Sequence, residues 1–306
     1  MNNFNKVLAE YLDYCTNQKR LSSKTIRAYS NDLKQFGICI STVHLSNVSP
    51  EIIEEYIKGL HDKYRPKTVK RKIASIKAFF RYLEFRKIIL FNPLTHVHSR
   101  FREPATLPRI IPLNIVQSLL ISIYDQIGNG KSAYRRKNAI RDAAICELLF
   151  ATGLRIFELC SLTPIDMDLV EDTVLIRGKG ARERILQIGN RQVHTALTNY
   201  KNEYINEISK CNHFFVNQYG RPFSDQSVRR MLNYYTNLAC ITQHITPHMW
   251  RHTFATSLLD ADVDIRYIQE MLGHSSIRTT VIYTHVSTSK QKAILCNKHP
   301  RNSFSI

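Results

Sequence analysis

No apolar run in the chain approaches the roughly 18 to 20 residues that a bilayer-spanning helix needs, so a membrane span is not expected. The opening residues, MNNFNKVLAE, lack the charged-then-apolar layout of a secretory signal, and a cytoplasmic location is the expectation. The seven cysteines, at 15, 39, 146, 160, 211, 240 and 296, contain no CxxC pair, which removes the commonest signature of structural zinc or dithiol chemistry. In a reducing compartment they read as small buried apolar residues. No internal repeat or low-complexity block is visible. Acidic residues are scarce beside basic ones, 25 against 43, for a net charge of +18. Such an excess calls for a polyanionic partner, with nucleic acid first and an anionic membrane surface second.

What is present describes a folded chain of 306 residues, 43% of them apolar, long enough for two domains. Residues 1–95 read as an all-helical domain. Val7, Leu8, Tyr11, Leu12 and Cys15 recur at helical spacing, and Ser22 or Ser23 caps a second run through Ile26, Tyr29, Leu33 and Phe36. Ser49-Pro50 opens a third helix, with Glu51, Glu54 and Glu55 near its positive end. Pro66 opens a fourth, with Ile73, Ile76, Phe79, Phe80 and Leu83 on one face and Lys67, Lys70, Arg71, Lys72, Lys77 and Arg81 on the other. Residues 1–107 hold 19 Lys and Arg against 9 Asp and Glu, net +10, a concentration that favours a phosphate-tracking face over a merely solvated one.

The proline-bearing stretch 92–112 places a linker at residues 96–107. His96 and His98 alternate there and read as incidental rather than as a metal pair. Residues 108–306 form the second domain, mainly helical around a small sheet, hence α+β. Its clearest strand signal is a hairpin: Thr173 to Ile176, a glycine-rich tip at Gly178 to Gly180, and a return from Ile185 to Ile188. The segment 128–142, GNGKSAYRRKNAIRD, reads as a basic loop.

Several stretches carry residue types suited to phosphate chemistry. In ATGLRIFEL, Gly153 can end one helix while Arg155 starts the next with Glu158 one turn on. This is either a surface ion pair or a helix start where backbone N–H groups and a guanidinium hold a phosphate. Lys179 sits at the hairpin tip, where a lysine is usually solvated but can also be delivered to a ligand as a proton donor. In TPHMWRHTFAT, Thr246 suits the N-cap and Pro247 the first helical position, which puts His248 and Arg251 side by side. His248 and His252 have metalloprotease spacing, but Met249 stands where the essential glutamate would be. No metal is expected, and His252 reads as a packing residue. The helix DIRYIQEMLGHSS ends at Gly273, leaving His274 just beyond it. The following SIRTTVIYTHV reads as a short helix carrying Tyr283, an aromatic among Val281 and Ile282 that alone would be taken as core.

In order and content, ATGLRIFEL, RGKGARERI, TPHMWRHTFAT, LGHSSIRTT and IYTHV resemble the consecutive signature segments of the tyrosine recombinase (phage integrase) family. LSSKTIRAYSNDLKQF and KRKIASIKAFFRYL resemble its helical core-binding region. The likeness covers nearly the whole chain and points to the Xer-like or mobile-element branch. Met249-Trp250 departs from the small or aliphatic pair common in the family, a change of packing more than of chemistry.

The resemblance implies a two-domain DNA clamp that cleaves and rejoins DNA at specific sites. The route is a 3′-phosphotyrosyl intermediate and a Holliday junction, without metal, cofactor or ATP. It assigns Arg155 and Arg251 to the scissile phosphate, Lys179 to the hairpin lysine, His248 to the histidine before the second arginine, His274 to the next position and Tyr283 to the nucleophile. Glu158 would support Arg155. Lys24, Arg27, Lys67, Lys70, Arg71 and Lys77 are the expected DNA contacts of the first domain. The implied partner is a double-stranded recombination site, bound as a dimer per site and a tetramer at synapsis. That tetramer is a homotetramer or a heterotetramer with a second recombinase. After Tyr283, Ala293 to Leu295 form a short apolar patch that can dock on a neighbouring protomer or lie in a frayed end. Two other classes remain open: a catalytically silent DNA-binding protein of the same fold, and a nicking-resealing enzyme of the type IB topoisomerase kind.

Overall fold

The computed structural model describes residues 2–97, 101, 108–129, 132–178 and 183–273. It divides the chain into two compact units, Met1–Ala105 and Thr106–Ile306.

The first unit is helical, with α1 (Asn2–Asn17), α2 (Ser23–Cys39), α3 (Pro50–Lys63) and α4 (Pro66–Phe85). The starts are those the sequence announces. Ser22 caps α2 by accepting the Thr25 N–H, and Pro50 and Pro66 occupy the first turn of α3 and α4, where a missing N–H costs nothing. Ile73, Ile76, Phe79, Phe80 and Leu83 are all buried on one stripe of α4 against Leu33, Phe36 and Ile53. Burial of each such side chain contributes roughly 1.5 to 3 kcal/mol. Val97 belongs to this core and Phe101 lies edge-on to His61, so the expected linker lends its first residues to the unit.

One expectation for α4 is corrected. Lys72, placed on the solvent face by the pattern, is 3% exposed, and its ammonium reaches Asp32 at 3.2 Å. Asp32 is itself buried and also accepts from Arg71 and from Ser75 Oγ. Gln35 and the Tyr64 ring complete the surroundings of Lys72. A long lysine can turn inward wherever a neighbouring helix supplies a carboxylate, and the pattern of α4 alone carries no sign of Asp32. Asp32→Ala would leave the ammonium buried without its counter-charge, at a cost of about 3 to 5 kcal/mol. Chemical denaturation followed by far-UV circular dichroism should show the loss. Fluorescence of Trp250, the one tryptophan and buried in the second unit, should barely move.

The second unit begins with α5 (Leu113–Gly128) and α6 (Ala133–Thr152), followed by the short α7 (Ile156–Ser161). Next come β1 (Met167–Asp168), β2 (Thr173–Arg177) and β3 (Glu183–Gln187), an antiparallel meander in the order β1-β2-β3. The remainder is α8 (Arg191–Glu203), α9 (Ile205–Ile208), α10 (Asp225–Leu238), α11 (Pro247–Asp260) and α12 (Ile265–Leu272). The mainly helical first unit and the α+β second unit match the fold class expected. β1, two residues long, has too little pattern to be read in advance. In the hairpin, Arg177 pairs with Glu183 and Ile176 with Arg184. Lys179, in the tip between them, lies outside the described residues.

The basic loop expected at 128–142 is corrected. Ser132 accepts the Arg135 N–H and α6 begins at Ala133, so most of the segment is helix. Two of its charges turn inward while Arg135 and Arg136 stay exposed: Arg141 is buried on Asp142 at 2.9 and 2.7 Å and over the Phe223 ring, and Lys137 reaches Glu207 at 2.8 Å. These partners lie on the same turn or far along the chain, and the run of basic letters hides them. Met249 and Trp250 are core residues, with Trp250 edge-on to Phe150 at 6.1 Å. The cysteines are corrected too. Cys15 and Cys146 are buried, Cys160 and Cys211 half-buried, and Cys39 and Cys240 exposed, all unbridged.

Candidate active site

Two glycines set the frame. Gly153 ends α6 and Gly273 ends α12, each in the left-handed region at φ +60° and +63°, a conformation that glycine alone adopts without strain. Both positions are also crowded. A Cβ on Gly153 would lie 2.5 Å from the Phe254 ring, and one on Gly273 would lie 2.9 Å from Arg184 Nη1.

Beyond Gly153 the chain turns at Arg155, the N-cap of α7. Glu158, one turn on and fully buried, folds back: its Oε2 accepts the Arg155 N–H at 2.9 Å and its Oε1 accepts Arg155 Nη1 at 3.0 Å. The Arg155–Glu158 pair is therefore an internal brace rather than a surface ion pair. The Arg155 N–H is spent on it and is not offered to an anion. The Arg155 side chain remains 29% exposed.

Arg251 arrives from α11. Its helix starts after Thr246 with Pro247 in the first turn, although the Thr246 hydroxyl makes no cap bond. Arg251 is buried, with Nη1 donating to Gly153 O at 2.8 Å and Nη2 to Leu272 O at 2.5 Å. Arg155 Nη1 also points at Leu272 O, at 3.5 Å. The two guanidiniums thus meet at one carbonyl at the negative end of α12.

His248 lies in the first turn of α11 with a face open to solvent. Partial withdrawal of its ring from water lowers its pKa, followed by the positive charges of Arg229, Arg251 and Arg155. Sequence reading missed Arg229, from α10. A histidine held neutral beside arginines can take a proton near neutral pH. His252, half-buried one turn on, is pushed lower still, to about 4, by burial and then by His248 and Arg251. Among the described residues no group of three or more His, Cys, Asp or Glu is placed to hold a metal.

The depressed His252 has a consequence for stability. In the unfolded chain it binds a proton near pH 6.5, whereas the folded protein refuses that proton until about pH 4. Stability should therefore fall as the pH drops through that window. At about 1.4 kcal/mol per unit, trimmed for partial exposure, the loss is at most about 3 kcal/mol. Denaturant midpoints measured from about pH 7.5 down to about pH 4.5 should decline less in His252→Gln than in the parent.

Arg184 had no role in the sequence reading, and the structure places it at the centre of the cluster. On β3 it shares the inward face with Leu186; its side chain is 13% exposed, and both its terminal nitrogens bind Glu158, at 3.1 and 2.9 Å. Its Nε donates to Met271 O at 2.8 Å. The available signal was alternation: in ERILQ, an arginine falls where the strand turns its apolar side inward. Lys179, His274 and Tyr283 lie outside the described residues. In the first unit, Lys24 and Arg27 on α2 and Lys67 and Lys70 on α4 are exposed, Lys77 is half-buried, and Arg71 is paired with Asp32.

In a helical unit with a small antiparallel sheet, arginines from separate elements converge beside a histidine whose pKa is lowered, an arrangement suited to an anionic ligand. Residues 122–290 match the model of the phage integrase family, and residues 8–87 match that of the phage integrase N-terminal SAM-like domain. A tyrosine recombinase of Agathobacter rectalis is 59% identical over 304 residues, 99% of each chain. Tyrosine recombinase XerD of Halalkalibacterium halodurans is 34% identical over 309 residues, 98% of this chain and 100% of its own. Among solved structures, XerA recombinase matches with a TM-score of 0.53 and 28% identity, over 98% of this chain and 100% of that one. The XerH site-specific recombinase bound to palindromic difH substrate, a post-cleavage complex, shares the fold with a TM-score of 0.76. It is 22% identical, over 94% of this chain and 84% of that one. The chain belongs to the phage integrase family of tyrosine recombinases.

Proposed function

We propose that the chain is a site-specific DNA recombinase that cleaves and rejoins duplex DNA through a 3′-phosphotyrosyl intermediate. The observation that carries the reading is the meeting of Arg155 and Arg251 at Leu272 O, with His248 alongside, in a chain 59% identical to a named tyrosine recombinase.

Tyr283 attacks the scissile phosphorus, and His248 takes or relays its proton. A phenol with a reference pKa near 10 is a poor nucleophile at neutral pH unless a base acts as attack proceeds. Arg155 and Arg251 present planar donor forks to the non-bridging oxygens and stabilise the charge gathered in the pentavalent transition state. Lys179 protonates the departing 5′-oxygen, and His274 bonds the phosphate or steadies Tyr283. The P–O bond to the 5′-oxygen breaks as the bond to the tyrosine oxygen forms. The phosphodiester energy is kept in the adduct, and a 5′-hydroxyl from a second duplex reverses the step. Four protomers, identical or shared with a second recombinase, then exchange one strand pair, pass through a Holliday junction and exchange the other. Among the described residues no helix is long and apolar enough to cross a membrane, and the site of action proposed is the cytoplasm.

The direct test is a nicked suicide duplex carrying the target site, incubated with the protein in chelator. A covalent protein–DNA adduct is expected. A protein that shifts the duplex yet never forms the adduct would be a silent DNA-binding member of the fold. Relaxation of supercoiled plasmid without exchange between sites would favour the topoisomerase-like activity.

A further inference from the structure

We infer that Arg184 is a positioning residue for DNA cleavage: from β3 it fixes the Glu158 carboxylate that braces Arg155 and ties down the end of α12 from which the chain runs to His274 and Tyr283. The inference rests on the recombinase reading and adds to it a residue outside the arginine, lysine, histidine and tyrosine set.

The bonding pattern gives Arg184 a different place from Arg155. Each Glu158 oxygen takes one bond from Arg155 and one from Arg184. Oε1 receives Arg155 Nη1 at 3.0 Å and Arg184 Nη1 at 3.1 Å, and Oε2 receives the Arg155 N–H and Arg184 Nη2, both at 2.9 Å. A two-pronged guanidinium fixes a carboxylate in rotation as well as position, which a lysine cannot do. The third direction of Arg184 is used as well, since Nε holds Met271 O. Arg184 has its three nitrogens engaged on Glu158 and Met271 O with 13% of its side chain exposed, whereas Arg155 keeps 29% of its side chain open.

The grip extends to α12. Met271 O is held by Arg184 and Leu272 O by Arg251 and Arg155, so two consecutive carbonyls are fastened to three arginines from β3, α11 and the turn before α7. The next residue, Gly273, packs directly on Arg184, and a Cβ there would meet Nη1, Cζ and Cδ at 2.9, 3.2 and 3.3 Å. Arg184 thereby links three parts: the strand returning from the Lys179 hairpin, the Arg155 brace, and the exit of the chain toward the nucleophile. Electrostatics agrees. Burial alone would raise the pKa of Glu158, yet the group stands below the usual glutamate value, with the Arg184 hydrogen bond the largest cause of the lowering and the Arg155 N–H next.

The test compares the parent, Arg184→Gln and Arg184→Lys in single-turnover cleavage of the suicide duplex, with DNA affinity measured in parallel. Rates are normalised to the folded fraction. Expected is a fall of about 100-fold in cleavage for Arg184→Gln, the scale of an ångström of misplacement at a reacting centre. Affinity should stay within about threefold, and Arg184→Lys should be intermediate, because charge returns without the fork. The cleavage rate of Arg184→Gln should also gain an acid limb nearer neutrality than the parent's, as Glu158 loses the donor that most favours its charged form, and Arg184→Gln/Glu158→Gln should lack that limb. Normalised cleavage within about threefold of the parent in both single variants, with an unchanged pH profile, overturns the inference, as does a loss that disappears on normalisation. If the parent forms no adduct, it is the recombinase reading that fails.

Discussion

Tyr283→Phe is expected to abolish covalent adduct formation on a suicide duplex while leaving the midpoint and salt dependence of the mobility shift unchanged. The substitution removes one oxygen and keeps the ring, so whatever packing Tyr283 has is preserved while the proposed nucleophile is deleted. No other group on the proposed reaction path replaces it: His248 takes a proton, and the arginines, protonated at all relevant pH, carry no free electron pair. Affinity should survive because it is spread over many phosphate contacts, each contributing a similar increment to the salt slope. The loss should therefore be total in chemistry and negligible in binding, a separation that a purely architectural DNA binder could not display. An adduct of undiminished yield would move the nucleophile to another residue and leave the fold assignment intact.

Arg251→Ala should lower single-turnover cleavage by about 10² to 10³, the scale for removing one preorganised donor from a developing oxyanion. It should also lower stability by about 1 to 3 kcal/mol, because Gly153 O and Leu272 O would lose a buried donor. Arg251→Lys is the sharper variant. It returns the charge but not the fork, and one ammonium cannot replace two nitrogens 2.8 and 2.5 Å from separate carbonyls. Its cleavage should stay well below the parent's with DNA affinity close to it. A fall in affinity that matches the fall in rate would mean instead that Arg251 holds ground state and transition state alike.

Much of the local structure was legible. Ser22, Ser49-Pro50, Pro66 and Thr246-Pro247 marked helix starts and Gly153 and Gly273 marked stops, because capping and left-handed turns depend on a residue and its immediate neighbours. The apolar stripe of α4 was legible for the same reason, since its period needs no knowledge of the partner helix. The hairpin showed in its β-branched strands, whereas β1 is too short to carry a pattern. Errors fell where a charged side chain turned inward to a distant partner, as Lys72 does with Asp32 at a separation of 40 residues. Arg135 to Arg141, read as a loop, became the opening of a helix in which Arg141 finds the neighbouring Asp142 and Lys137 finds Glu207 on α9.

The sequence by itself, through the resemblance of its motifs to those of the family, named the residues proposed to bear the chemistry and their order. Its charge pointed to a polyanionic partner, with nucleic acid ahead of a membrane surface. Only the tertiary structure decided how those residues are held. Arg155 and Leu272 stand 117 residues apart, Arg184 and Met271 87, and Arg184 and Glu158 26, yet they share one set of hydrogen bonds. Capping and periodicity are properties of neighbours along the chain. The choice of carbonyl or carboxylate for a buried guanidinium follows from desolvation, because each such group must find a partner among whatever the packing of other helices and strands brings within reach.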